Sequence, residues 1–178
     1  MTLAVGDFSH ESNKRLDWLV QEFARVPNPA ANHLVLVGQA SAAELRAFEA
    51  RARARLGERV HLFANAPPEQ MAGFYQAADL FAHAALREPF GLVFIEAMAC
   101  GLPIVAHKYE VTRWIVGEGG LTGDLSREGE LARLLAELHS DSQMRRQLGG
   151  AARQRACEAF APSRIVPLYQ DMYRQITG

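Results

Sequence analysis

The chain has 178 residues, of which 49% are hydrophobic and 22% are charged, and its formal net charge is −1. This composition excludes disordered and low-complexity proteins, and a chain of this length can bury a core without a disulfide or a metal. The balance of 19 basic and 20 acidic residues excludes the one-sided positive field of a nucleic-acid-binding domain.

The two cysteines, Cys100 and Cys157, are too few for a disulfide framework. We interpret both as small buried thiols, which suits a reducing compartment. No uncharged apolar run approaches the ~20 residues of a membrane-spanning helix, and the residues that follow Met1 lack a signal-peptide pattern. We therefore expect a soluble, cytoplasmic protein without a transmembrane segment.

Strand and helix patterns alternate along the first two thirds of the chain. Apolar or β-branched runs predict strands at residues 2–6, 33–38, 60–63, 79–83, 103–106 and 120–122. Helical spacing of apolar residues predicts helices at 14–24, 42–56, 69–77, 91–100 and 111–116. The Pro and Asn residues of 28–32 predict a turn. Ser41 with Glu44 three residues later predicts a capping box at the start of the second helix.

From about residue 126 the pattern is helical, with breaks at 140–141 and 161–162. Strand–helix alternation on this scale predicts an α/β fold, with a Rossmann-like parallel sheet and helices on both of its faces. We find no linker or internal repeat. The sequence thus predicts one domain over residues 1–178, with a helical carboxyl-terminal tail.

Ligands of such sheets bind beyond the carboxyl ends of the strands, where the strand order reverses. Four predicted loops lie there, at residues 7–14, 64–67, 84–91 and 107–110. The third is unusual because it combines Glu88 with Pro89 and Gly91, which allow the backbone to turn sharply near a ligand. This loop is the strongest candidate for a binding site.

The helix predicted at 91–100 is apolar nearly all round, so we expect it to be buried. Glu96 lies in its second turn and would need a proton, a cation or hydrogen bonds from a ligand. The amino terminus of the helix presents N–H groups that suit a phosphate. The simpler alternative makes Glu88 a surface capping acid and Glu96 half of a buried ion pair.

Residues 88–106, EPFGLVFIEAMACGLPIVA, closely resemble the signature of retaining GT-B glycosyltransferases of family four, the relatives of glycogen synthase and sucrose-phosphate synthase. That signature has two glutamates with seven residues between them, as Glu88 and Glu96 have here. Residues 33–38 and 60–79 resemble further stretches of the same family. The resemblance covers nearly the whole chain, but only the carboxyl-terminal half of a GT-B enzyme.

The resemblance implies a site for a nucleoside diphosphate (NDP) sugar, with no metal ion and no other cofactor. It assigns Glu88 to the donor sugar and Lys14 to the charge of the diphosphate, as the two catalytic residues, and Glu96 to the ribose hydroxyls. Further binding positions are the backbone at Phe90, Gly91 and Leu92 for sugar and phosphate, and at Ala64 and Asn65 for the nucleobase.

The chain departs from the family pattern at two places. Asp7 stands where the family usually has a second arginine that binds the diphosphate, and Arg15 is the candidate replacement. Residues 109–114, YEVTRW, replace the family's G-G-x-x-E stretch near the sugar and phosphate. Both changes lie at the expected donor site.

We therefore expect the NDP-sugar-binding domain of a retaining glycosyltransferase that transfers a hexosyl group. The acceptor, a saccharide or a lipid-linked molecule, would be held by an amino-terminal domain that this chain lacks, so the isolated chain would be inactive. The alternative is a non-catalytic binding or scaffold module with a degraded donor site.

Three other features admit simple interpretations. His83 and His107 end strands at the ligand edge, where either one contacts the sugar or both are polar strand ends. Trp114 is interpreted as the core anchor of its short helix, with a stacking platform for a ligand as the alternative. The apolar residues of 165–176 predict either weak self-association or a tail folded onto its own domain.

Overall fold

The computed structural model describes residues 1–10, 12–27 and 32–177. It contains a six-stranded sheet in the order β3-β2-β1-β4-β5-β6, in which all neighbouring strands are parallel. The strands are β1 (Thr2–Val5), β2 (Leu34–Gly38), β3 (Val60–Ala64), β4 (Leu80–His83), β5 (Ile104–His107) and β6 (Gly120–Gly123). The strand order reverses between β1 and β4, and ligands of such sheets bind beyond the carboxyl ends of the strands at that point.

Helices cover both faces of the sheet. They are α1 (Leu16–Phe23), α2 (Ala42–Leu56), α3 (Met71–Ala77), α4 (Leu92–Ala99), α5 (Glu110–Val116), α6 (Glu130–Ser140), α7 (Ser142–Arg155) and α8 (Pro162–Thr177). One core cluster joins the sheet to α1, α2 and α6, and a second joins it to α3, α4, α5 and α7. The predicted Rossmann-like α/β fold with a helical tail is confirmed.

Two glycines bring the first two strands together at their carboxyl ends. A Cβ atom at Gly38 would lie 1.6 Å from the carbonyl oxygen of Gly6, and one at Gly6 would lie 2.7 Å from the Cβ of Lys14. Only glycine allows such an approach of backbone to backbone. The close contact draws the loop after β1, which carries Lys14, against the end of β2.

Local boundaries follow the sequence with one informative difference. The capping box of α2 is confirmed, since the Ser41 hydroxyl accepts the Glu44 N–H at 3.2 Å and the Glu44 carboxylate accepts the Ser41 N–H at 2.8 Å. Helix α1, in contrast, begins at Leu16 and not at residue 14, because Arg15 takes a left-handed conformation with φ of 53°. Most of the predicted turn at 28–32 lies outside the described residues.

Glu22 on α1 is completely buried and holds the start of α6. One carboxylate oxygen accepts the Gly129 N–H at 3.0 Å, and the other accepts the Ala132 N–H at 3.3 Å. The Arg25 guanidinium lies 3.4 Å from the first oxygen. A buried carboxylate thus satisfies amide groups that a helix start leaves without partners.

The tail packs on the sheet through α6 and α7, whereas α8 contacts mainly the π-helical turn at Ala156–Phe160. The apolar side chains Leu168, Tyr169 and Tyr173 of α8 stay exposed. A groove of about 860 Å³ runs between α8 and the start of α4. The tail is therefore only partly folded onto its domain, and its self-association stays a prediction.

Two interpretations of single residues are wrong. Trp114 is 57% exposed and lies against Phe160 at the groove, not in the core. Cys157 is exposed on the π-helical turn, while Cys100 is half-buried. Apolar neighbours in sequence did not reveal which side of each short helical segment faces the sheet. Within the described ranges, no helix combines the length and the apolar character needed to cross a bilayer.

Candidate functional site

Three side chains from two loops and one strand meet at the carboxyl ends of β1 and β4. The Lys14 ammonium lies 2.5 Å from Oε2 of Glu88, and Nε2 of His83 lies 3.0 Å from the same oxygen. His83 is the last residue of β4 and only 2% exposed, and the Glu88 side chain is 9% exposed. We call these three residues the Glu88 cluster.

The cluster keeps Glu88 ionised. The hydrogen bond from His83, reinforced by that from Lys14, outweighs burial and lowers the pKa of Glu88 from 4.5 to about 2. Burial lowers the pKa of His83, which outweighs the opposing effect of Glu88. At neutral pH the cluster therefore combines an ionised carboxylate with a neutral imidazole.

Gly91 sets the approach between Glu88 and α4. It has a φ of 71°, and a Cβ there would lie 2.7 Å from both the Glu88 and the Phe94 side chains. The chain then enters α4 at Leu92, and the amide of Phe94 bonds to the Gly91 carbonyl at 2.9 Å. The amides of Leu92 and Val93, at the first two positions of α4, have no intrahelical acceptor, so an anion at this end of the helix would meet N–H donors.

Glu96 lies on the exposed side of α4, with its Oε2 accepting the Tyr75 hydroxyl at 2.7 Å. The expectation of a helix buried all round is wrong, because only the face with Phe94, Ala97 and Met98 reaches the sheet. The simpler alternative also assigned burial to the wrong glutamate. Glu88 has the ion pair, and Glu96 is free to meet a ligand on its exposed side.

Arg15 has a structural role at the same edge. Its guanidinium donates to the carbonyls of Ala84 at 3.2 Å and Leu125 at 3.1 Å, and it lies 4.9 Å from the centre of the Trp18 ring. Burial lowers the pKa of Arg15. Because those donors are engaged with backbone, binding of a diphosphate by Arg15 stays a prediction.

The loop after β3 holds the two positions assigned to the nucleobase. Asn65 has a φ of 56°, and its side chain bonds to both the N–H and the carbonyl of Ala40, at 3.2 and 2.8 Å. The backbone N–H of Asn65 donates to the Gly38 carbonyl at 2.7 Å. Ala64 and Asn65 are thus fixed at the end of β3, and their contact with a base stays a prediction.

The remaining predicted residues lie in loops and strand ends at the same side of the sheet. Phe90 and Leu92 are both largely exposed at the entrance of the groove beside α8. The Asp7 carboxylate accepts the Ser9 N–H at 2.8 Å, and Nδ1 of His107 accepts the Leu125 N–H at 3.1 Å. Among the described residues that the sequence assigned to the site, Lys14 and Glu88 are the two whose side chains bond directly to each other.

Two partners were not predicted from the sequence. His83 was noted as a strand end but not as the partner of Glu88, although Glu88 is only five positions further along the chain. Tyr75 lies in a stretch that resembles the family, yet its bond to Glu96 spans 21 residues. The signal available in both cases was a polar residue next to the predicted edge.

A family model described as glycosyl transferases group 1 matches residues 1–155. A D-inositol 3-phosphate glycosyltransferase of Xylanimonas cellulosilytica is 33% identical over 167 residues, covering 90% of this chain and 39% of the relative. An N-acetyl-alpha-D-glucosaminyl L-malate synthase of Bacillus anthracis is 28% identical and matches 92% of this chain and 42% of its own length.

Solved structures share the fold. Sucrose-phosphate synthase of Thermosynechococcus elongatus superposes with a TM-score of 0.87 at 32% identity, over 98% of this chain and 45% of that protein. Anabaena HepE in complex with UDP and glucose superposes with a TM-score of 0.79 at 25% identity, over 99% of this chain and 48% of that protein. The chain spans less than half the length of each of these relatives.

Proposed function

The chain belongs to the family of glycosyl transferases group 1, and on this premise we propose that it binds the NDP-sugar donor of a retaining glycosyltransferase that transfers a hexosyl group. The observation that carries the proposal is the Glu88 cluster, which joins a cation and an ionised carboxylate beside the start of α4. The complex of Anabaena HepE with UDP and glucose supports this ligand class.

The proposed roles follow from charge. A departing diphosphate gains negative charge, which the Lys14 ammonium and the first amides of α4 would stabilise without a metal ion. Glu88 would accept a hydrogen bond from a sugar hydroxyl. Glu96, held by Tyr75, would accept the ribose hydroxyls.

We assign the acceptor, a saccharide or a lipid-linked molecule, to another part of a longer protein. Positioning two reactants together can lower a barrier by ~7–11 kcal/mol, and the proposed groups hold only one of them. The isolated chain would then catalyse slow donor hydrolysis at most. A cytoplasmic location is part of the proposal and is based on the two unpaired cysteines.

Titration calorimetry with UDP, GDP, ADP and their glucose derivatives tests the proposal. A ligand that binds at ~100-fold excess over Kd should also raise the free energy of unfolding by roughly 2.7 kcal/mol. Glu96→Gln should weaken the diphosphate and the sugar nucleotide alike, because both contain ribose. Glu88→Gln should weaken only the sugar nucleotide, by about 1.5–3 kcal/mol.

The control is Glu49→Gln, on the exposed side of α2. It should leave both affinities unchanged. If Glu88→Gln and Glu96→Gln affect both ligands equally, the assignment of roles is wrong.

Asp7 favours a second candidate, a non-catalytic binding or scaffold module with a degraded donor site. An acidic residue there lowers the positive charge available to a diphosphate, and its carboxylate closes a turn onto Ser9. Absence of any thermal shift with these nucleotides at millimolar concentration would favour this candidate over the first.

A further inference from the structure

The Glu88 cluster is asymmetric. Both of its hydrogen bonds, from Lys14 and from His83, end on Oε2 of Glu88. An ionised carboxylate has two oxygens with about four acceptor sites. The geometry therefore leaves Oε1 as the oxygen that can accept a hydroxyl from a ligand, provided that Oε2 stays where it is.

The two donors differ in how firmly they are held. Lys14 has a flexible side chain that is 27% exposed. The His83 ring is 2% exposed. Its centre lies 4.9 Å from the centre of the Phe94 ring, which meets it edge-on, and 6.4 Å from that of the Phe81 ring, which is stacked on it. A lysine of this kind can move toward an arriving anion, whereas the packed imidazole cannot leave its site.

The proton on the imidazole can be assigned from its partner. A carboxylate only accepts hydrogen bonds, so Nε2 of His83 must carry the hydrogen. His83 donates this bond as a neutral ring, at the end of a buried strand and without a second positive charge next to Lys14.

We propose that His83 is a positioning residue, which fixes Oε2 of Glu88 so that Oε1 faces the hydroxyl of a bound sugar while Lys14 turns to the diphosphate. This inference rests on the proposed function, because it needs a ligand with both a sugar and a diphosphate. In the ligand-free site, both Lys14 and His83 bond to the Glu88 carboxylate. In the ligand-bound site, only His83 does.

The test compares three variants by titration calorimetry with UDP and UDP-glucose. His83→Leu removes the donor and keeps an apolar side chain of similar bulk. His83→Gln keeps an N–H donor near the place of Nε2. His139→Leu is the matched control, because His139 is a half-buried histidine that bonds to Thr2 at the amino-terminal end of β1, the end away from the cluster.

We expect His83→Leu to weaken UDP-glucose about tenfold and UDP less than twofold, since one charge-assisted bond is involved. His83→Gln should recover most of the lost affinity, and His139→Leu should change neither ligand. Equal loss for both ligands in His83→Leu, or no recovery in His83→Gln, would overturn the proposal.

A second readout needs no ligand. The Glu88 carboxyl carbon, followed by ¹³C NMR, should titrate at higher pH in His83→Leu than in the wild type, and at unchanged pH in His139→Leu. An unchanged titration in His83→Leu would refute the positioning role. If the wild-type chain binds neither UDP nor UDP-glucose but the titration moves, these ligands are wrong and the His83–Glu88 coupling stands.

Discussion

Glu22 and Glu88 are both buried carboxylates, but their partners differ in kind. At the junction of α1 and α6, each oxygen of Glu22 accepts a backbone amide, and Arg25 adds a charge. At the end of β4, both partners of Glu88 are side chains, and both meet one oxygen. A carboxylate with both oxygens bonded to backbone is closed to ligands. One with an oxygen to spare can bind.

The largest expected effect comes from breaking the closed site. Glu22→Leu leaves the amides of Gly129 and Ala132 without their acceptors in the interior, which should lower the free energy of unfolding by about 3 kcal/mol. Urea unfolding followed by circular dichroism measures this. Glu49→Leu, which alters an exposed carboxylate, should cost less than ~0.5 kcal/mol. Similar costs for both would mean that Glu22 does not support α6.

Acid should weaken the open site, at Glu88. Since folding lowers the pKa of Glu88 from 4.5 to about 2, its contribution to stability is complete above pH 4.5 and is lost as the pH falls through about 2. We expect a loss of about 1–2 kcal/mol across this window, allowing for screening by water. Unfolding curves between pH 6 and 2 should show this loss in the wild type and not in Glu88→Gln. Parallel curves would contradict it.

Glu96 provides an intermediate case, with one bond to Tyr75 and an exposed position. Tyr75→Phe removes that bond and should weaken UDP by about 1 kcal/mol, because the carboxylate is less well oriented. Calorimetry with UDP measures the change. The control Tyr169→Phe removes a hydroxyl from the exposed face of α8 and should have no effect on UDP. If Tyr75→Phe binds UDP as tightly as the wild type does, Tyr75 does not contribute to nucleotide binding.

Ser41 is the exposed counterpart of Glu22, since it also satisfies an amide at a helix start. Water can replace its hydroxyl, so Ser41→Ala should lower stability by only about 0.5–1 kcal/mol. Thermal unfolding compares it with Ser142→Ala, at the first position of α7. A loss as large as that of Glu22→Leu would show that burial does not decide the cost of a missing cap.

The sequence was sufficient to predict the sheet, the loop that holds Glu88 and the capping box of α2, because each depends on neighbours within a few residues. It did not reveal the role of Glu22, whose bonded amides are 107 and 110 residues away. The sequence pattern also placed Lys14 and Arg15 in a helix, because no local pattern indicates that the backbone of an arginine is left-handed. The exposed side of α4 was missed because apolar residues do not tell what covers them.

Arg15 has an evolutionary consequence. It joins the loops after β1, β4 and β6, which are 69 and 110 residues apart in the chain, and it does so through the carbonyls of Ala84 and Leu125. Arg15 therefore binds the backbone of the loops after β4 and β6, so its bonds depend on the path of the backbone and not on the side chains there. Point substitutions there can accumulate and diversify the ligand, whereas insertions and deletions would move a carbonyl away and be removed by selection. Related sequences should therefore differ in these loops by amino-acid substitutions, while the lengths of the loops stay constant.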